Sequence, residues 1–202
     1  MCKDNYYEIC DYWDEKNLTR TKFDEEELKN SKIILCLGDS FTFGDGMYYK
    51  DTWPALLQDK DFFKDYKVIN IGMRGASNDL ITKILRNWCN RYSTQIEYVI
   101  IGFSYINRRM HYVDADYDGA FQPLPSIINI QPSNNQAKHQ NRKLFSRYLE
   151  LSNDGNDLEN SDRNLLIAKG LGKIHNFKTY FFFMELCMDA RNEVNDKGLT
   201  YE

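Results

Sequence analysis

No two of the five cysteines (Cys2, Cys10, Cys36, Cys89, Cys187) stand in a C-x-x-C pair, and their number is odd. Zinc ribbons and thioredoxin-like redox chemistry both use that spacing, so neither is supported and a reduced setting is expected. No apolar run approaches the roughly 18–20 residues of a membrane span, and no basic-then-apolar leader opens the chain. The reading is therefore a cytoplasmic protein without a membrane partner. Positive charge is not in excess either: 26 lysines and arginines against 30 acidic residues leave a formal charge of −4. A protein that coats nucleic acid carries the opposite balance, so no nucleic-acid partner is expected. There is no G-x-x-x-x-G-K-[S/T] lysine and no G-x-G-x-x-G arrangement, which ranks a nucleotide-cradling loop last among the readings. Asp114, Asp116 and Asp118 alternate like calcium ligands, but the twelfth position from Asp114 holds Pro125 where a calcium loop uses glutamate. That segment reads as a solvated loop, with no metal and no cofactor. Internal repeats and low-complexity tracts are missing as well.

What is present suits one domain with a sizeable core: 202 residues, 42% hydrophobic, 14% aromatic and 28% charged. The chain is organised around Lys32 to Gly46, KIILCLGDSFTFGDG. Its apolar run, Ile33 to Leu37, stops at Gly38-Asp39-Ser40 and reads as a buried strand running into a turn. Thr52-Trp53-Pro54 reads as a helix start, with Thr52 or Asp51 as cap and Pro54 near the first turn. Tyr66 to Ile71 reads as a second strand. Ser77 then caps a helix through about Tyr92, with Leu80, Ile81, Ile84, Leu85 and Trp88 on its apolar face. Glu97 to Phe103 is the third strand, and this alternation gives a parallel, helix-covered sheet with right-handed crossovers. Upstream, Asp24-Glu25-Glu26-Glu27 reads as the solvated start of a helix. Downstream, Tyr112 to Pro132 reads as a loop or lid beside the pocket mouth. A helix from Pro132 to about Leu151, a polar break from Ser152 to Asn160, and a helix capped by Ser161 or Asp162 and ending at His175 follow. Lys178 to Leu186 is the last strand. Cys36 and Cys187, inside apolar runs, read as small core residues.

Ser40 falls at the C-terminal end of the first strand, where open α/β sheets place their chemistry and where backbone N–H groups are free to point at an anion. On its own, Gly-Asp-Ser reads equally as a glycine-containing turn with an unreactive serine. Gly38-Asp39-Ser40-Phe41-Thr42-Phe43-Gly44 resembles the first block, G-D-S-x-T-x-G, of the SGNH (GDSL-type) hydrolases. Asn70-x-Gly72-x-x-Gly75, also following a strand, is similar to that family's second block. The resemblance implies a three-layer α/β/α sandwich with a mainly parallel, flavodoxin-like sheet. It also implies hydrolysis of a small-molecule or carbohydrate ester by a Ser40 nucleophile without a cofactor. The N–H groups of Ser40 and Gly75 would form the oxyanion hole, with Gly72 beside the substrate. The third block, G-x-N-D, is matched only at Gly102, because Ser104 stands where the family has asparagine. A serine hydroxyl donates over a shorter reach than an amide, and Asn107 substitutes only if the loop curls back. Arg108 and Arg109 read either as holders of negative charge near the pocket or as surface charge.

The family's fifth block, D-x-x-H, supplies the general base and the acid that orients it. Here Asp189-Ala190-Arg191-Asn192 keeps the aspartate and has asparagine in place of histidine, and no histidine follows His175. A serine hydroxyl is a poor nucleophile until an adjacent base takes its proton. Three readings stay open. The chain is truncated before that histidine, or His111 after the third strand is the base, or the protein binds an acylated or glycosylated ligand without catalysis. His139 and His175 read as surface or helix-end residues. Asp39 reads as the residue that fixes the turn by accepting backbone N–H bonds, not as a base. In this scheme residues 1–31 are an N-terminal extension, 32–188 the SGNH-like domain and 189–202 a C-terminal tail. The expected substrate is a carbohydrate O-acetyl or a lipid acyl ester.

Overall fold

Five consecutive apolar residues that are all buried have to sit in a strand covered on both faces, because side chains alternate with a period of two. The first strand, β1 (Lys32–Leu37), meets that condition. Ile33, Leu35 and Leu37 enter one core with Ile69, Leu85 and Ile101, while Ile34 and Cys36 face a second with Val68, Trp53 and Leu57. A computed structural model describes Tyr12, Asp14 and residues 17–112, 127–130 and 154–183.

A five-residue helix, α1 (Glu25–Lys29), precedes β1, and the Asp24 carboxylate caps it by accepting from the N–H groups of Glu26 and Glu27. After β1 come the short α2 (Ser40–Phe43), α3 (Trp53–Gln58), β2 (Tyr66–Asn70), α4 (Asn78–Tyr92) and β3 (Ile96–Phe103). Thr52 occupies the N-cap position of α3, but its hydroxyl donates to the Tyr49 carbonyl at 2.7 Å instead of capping. Ser77 does cap α4, its hydroxyl accepting from Leu80 N–H, and the stripe Leu80, Ile81, Ile84, Leu85 and Trp88 is buried in the larger core.

Beyond β3 lie β4 (Arg109–Tyr112), β5 (Ile127–Ile130), α5 (Asp154–His175) and β6 (Lys178–Phe183). Two expectations change here. Part of the segment read as a loop, Tyr112 to Pro132, is sheet: β4 and β5 pair antiparallel, Arg109 opposite Ile130 and Tyr112 opposite Ile127. The β-branched run Ile127-Ile128-Asn129-Ile130 accounts for it. The supposed polar break before residue 161 is helical from Asp154 onward. Its inward residues are polar and hydrogen-bonded, so no apolar period marks them: Asp157 accepts from Arg109 at 2.7 Å and Asn160 donates to the Asp79 carboxylate at 2.8 Å. The expected helix from Pro132 to Leu151, the Asp114–Asp118 alternation, His139, Cys187 and residues 184–186 of the last strand lie outside the described residues.

The four-stranded sheet is parallel throughout, in the order β2-β1-β3-β6. With α3 against one face and α4 and α5 against the other, the chain is an α/β fold of three layers. The register of β1 on β3 slips between Ile33 and Ile34, so Glu97 is the extra residue of a bulge. Its carboxylate accepts from the Tyr66 hydroxyl at 3.0 Å and pairs with Lys32 at 3.0 Å. Because β2 and β3 flank β1 on opposite sides, the connections diverge there. The C-terminal ends of β1 and β3 therefore frame the crevice where such sheets bind ligands. Among the described residues, no helix is long and apolar enough to cross a membrane.

Candidate active site

Three turns leave the sheet at this edge, and each carries residues singled out by the sequence. The turn after β1 is closed by Asp39, the N-cap residue of α2, whose carboxylate accepts from Phe41 N–H at 3.0 Å. Ser40 is the first residue of α2 and is half-buried. Among the described residues, no side chain is hydrogen-bonded to its hydroxyl. The helix ends after one turn because Gly44 adopts a left-handed conformation (φ 77°), its N–H returning to the Ser40 carbonyl.

The turn after β2 approaches α2 very closely. A Cβ on Gly72 would lie 2.4 Å from the Phe43 nitrogen and 2.7 Å from the Thr42 carbonyl carbon, so only glycine fits. Asn70 bridges the two segments: its side-chain amide donates to the Thr42 carbonyl at 2.9 Å and accepts from Gly72 N–H at 3.0 Å. Met73 N–H donates to the Gly38 carbonyl at 2.9 Å. Arg74 pairs with Asp45 at 2.7 Å and lies over the Phe43 ring. Gly75, half-buried and left-handed (φ 65°), is thereby held on the same edge of the sheet as Ser40.

The turn after β3 contributes Ser104, whose backbone is clamped by Asn78: Ser104 N–H donates to Oδ1 at 2.7 Å, and Nδ2 donates to the Ser104 carbonyl at 3.2 Å. The Ser104 hydroxyl donates to Asp39 Oδ2 at 2.8 Å and accepts from Arg108 Nη1 at 2.9 Å. It is thus engaged with the residue that precedes Ser40. Arg108 Nη1 also reaches the Ala76 carbonyl at 3.1 Å and Asp39 Oδ2 at 3.4 Å. Burial pulls this guanidinium below its ordinary pKa, while the Asp39 charge pulls in the opposite direction.

The structure therefore brings Asp39, Ser40, Gly72, Gly75, Ser104 and Arg108 to one edge. Asn107 is half-buried within the turn that Arg108 N–H closes onto the Tyr105 carbonyl. Arg109 turns to α5, where it donates to Asp157 at 2.7 Å and to the Asn156 carbonyl at 2.6 Å. His111 lies on β4 opposite Ile128, and its side chain is outside what the structure describes, as is Asp189. Among the described residues, no cluster of three or more metal-binding side chains occurs.

Two supports of the site carry no motif. Arg20 is fully buried and donates to the carbonyls of Phe43 (2.7 Å), Gly44 (2.9 Å) and Met47 (3.1 Å), fixing the exit of α2. It is placed by its own N–H on the Asn70 carbonyl and by Asn70 N–H on Thr21. Asn78 sits just behind the predicted cap Ser77, a position where an asparagine attracts no notice.

Fold and crevice together define an α/β protein whose polar side chains converge at the switch point of a parallel sheet. No protein-family model matches the chain, and no curated protein matches it. Among solved structures it is similar to AlinE4, an SGNH-hydrolase family esterase, at 23% identity over 36% of this chain and 40% of that one, with a TM-score of 0.33. A point variant of the same esterase aligns at 21% identity over the same shares, again with a TM-score of 0.33. The aligned part of the chain spans less than half the length of that esterase.

Proposed function

We propose that the protein is a serine hydrolase acting on an ester, with Ser40 as nucleophile. The observation that carries this reading is the placement of Ser40 at the start of α2, in the switch-point crevice, with the Gly72–Gly75 turn tied against it. Ser40 Oγ attacks the acyl carbonyl carbon as a base takes its proton. The carbonyl oxygen, now negative, is held by the N–H groups of Ser40 and Gly75, each such donor contributing about 3–4 kcal/mol to barrier lowering. Collapse expels the alcohol, which receives the proton from the base, and water then hydrolyses the acyl-serine. The base in this reading is His111, and Asp189 stands where the family's fifth block has the acid that orients a base. The substrate class that fits the family resemblance is a carbohydrate O-acetyl or lipid acyl ester.

One observation favours a second reading. The Ser104 hydroxyl is committed to Asp39, so the position that holds asparagine in the family brings no free side-chain donor to the oxyanion cradle, which suits a binding protein for an acylated or glycosylated ligand. Labelling with a fluorophosphonate separates the two, since an activated serine forms the Oγ–P bond and an idle one does not. Labelling and p-nitrophenyl acetate hydrolysis that both vanish in Ser40→Ala are the expected result. Esterase activity retained in full by Ser40→Ala removes the hydrolase reading.

A further inference from the structure

We propose that Arg108 is a positioning residue that acts on Ser40 through Asp39, by cancelling the buried carboxylate charge next to the nucleophile; this rests on the hydrolase reading above. Asp39 is 1% exposed and immediately precedes Ser40 in the chain. One of its oxygens holds Phe41 N–H and so orients the first turn of α2; the other receives Ser104 and Arg108. Without a counter-charge, a buried carboxylate at this point would oppose the negative oxygen that forms on the substrate, in a crevice where water screens little. Arg108 supplies that counter-charge from a position that is itself 8% exposed.

Its contacts also fall on the chain neighbours of both cradle donors. Asp39 precedes Ser40, and Ala76, whose carbonyl accepts from Arg108 Nη1 at 3.1 Å, follows Gly75. The third contact, with the Ser104 hydroxyl at 2.9 Å, occupies that oxygen as acceptor and leaves its proton for Asp39 Oδ2 at 2.8 Å. A single nitrogen thus touches the turns after β1, β2 and β3. A residue with only a structural role would change the stability of the fold and leave the maximal labelling rate of the folded protein unmoved.

The test is a double-mutant cycle on the rate of fluorophosphonate labelling of Ser40, with thermal melts on every variant. Arg108→Met is expected to slow the maximal labelling rate by about 10- to 100-fold without weakening reagent binding. In the Asp39→Asn background the same change is expected to matter less than about threefold, because the charge it cancels is gone. Arg108→Lys is expected to stay within about threefold of the native rate. The proposal is overturned if folded Arg108→Met labels at the native rate, or if its loss is undiminished beside Asp39→Asn. Should Arg108→Met not fold, Arg108→Lys decides alone, and a loss of more than about threefold overturns the proposal. A native protein that never labels at Ser40 instead removes the hydrolase reading, and this proposal with it.

Discussion

Gly72→Ala isolates the closest backbone approach in the site. The added Cβ would meet the Phe43 nitrogen at 2.4 Å and the Thr42 carbonyl carbon at 2.7 Å, where ordinary contact begins near 3.4 Å. Both atoms are main chain, so no rotamer change relieves the clash and the β2 turn has to withdraw from α2 by about 1 Å. That movement takes Asn70 Nδ2 away from the Thr42 carbonyl and Met73 N–H away from the Gly38 carbonyl, both now at 2.9 Å. Two buried hydrogen bonds at about 1–3 kcal/mol each, with an overpacking cost of similar size, give an expected loss of at least ~3 kcal/mol. For a chain of this length that corresponds to a drop in Tm of roughly 6–12 °C. Gly170→Ala is the internal control: its Cβ would meet nothing within 4 Å, and it lies inside α5. There the better helix former should add about 0.5–1 kcal/mol. Urea unfolding of the two variants beside the native protein measures both. A loss under ~1 kcal/mol for Gly72→Ala, or an equal loss for Gly170→Ala, refutes the reasoning.

Asn78→Ala leaves the N–H and carbonyl of Ser104 without their present partner, and should cost about 2–4 kcal/mol in a urea melt. An alanine variant as stable as the native protein would show that this clamp is dispensable. Burial lifts the Cys89 thiol from 9.0 to about 11. The unfolded chain releases this proton above pH 9 while the folded chain retains it, so the contribution is lost as pH rises from 9 to 11, by up to about 3 kcal/mol. Urea melts across that window should therefore decline less steeply for Cys89→Ala, and identical slopes would contradict the assignment.

Where burial followed a regular period, the sequence was explicit. The run Ile33 to Leu37, the stripe from Leu80 to Trp88 and the cap at Ser77 each carry their pattern in a few adjacent residues, and the strand–helix–strand order set the sheet direction. Legibility ended where the inward face is polar. The first two turns of α5 read as a break because Asp157 and Asn160 bury hydrogen bonds to partners more than forty residues away. Within the site, the motif blocks pointed to Ser40, Gly72 and Gly75 but not to what holds them. Arg20 and Asn78 act across long separations in the chain, so no local spacing advertises them. The opposite destinations of adjacent Arg108 and Arg109 are likewise decided by what lies on either side of β3's exit, which only the folded chain defines.

The 22 residues of α5 rise about 33 Å. The front of that helix is anchored by Arg109 and Asp79. A wall fastened by hydrogen bonds instead of grease is particular about its geometry: replacing Asp157 or Asn160 takes a partner from Arg109 or Asp79 and weakens the attachment.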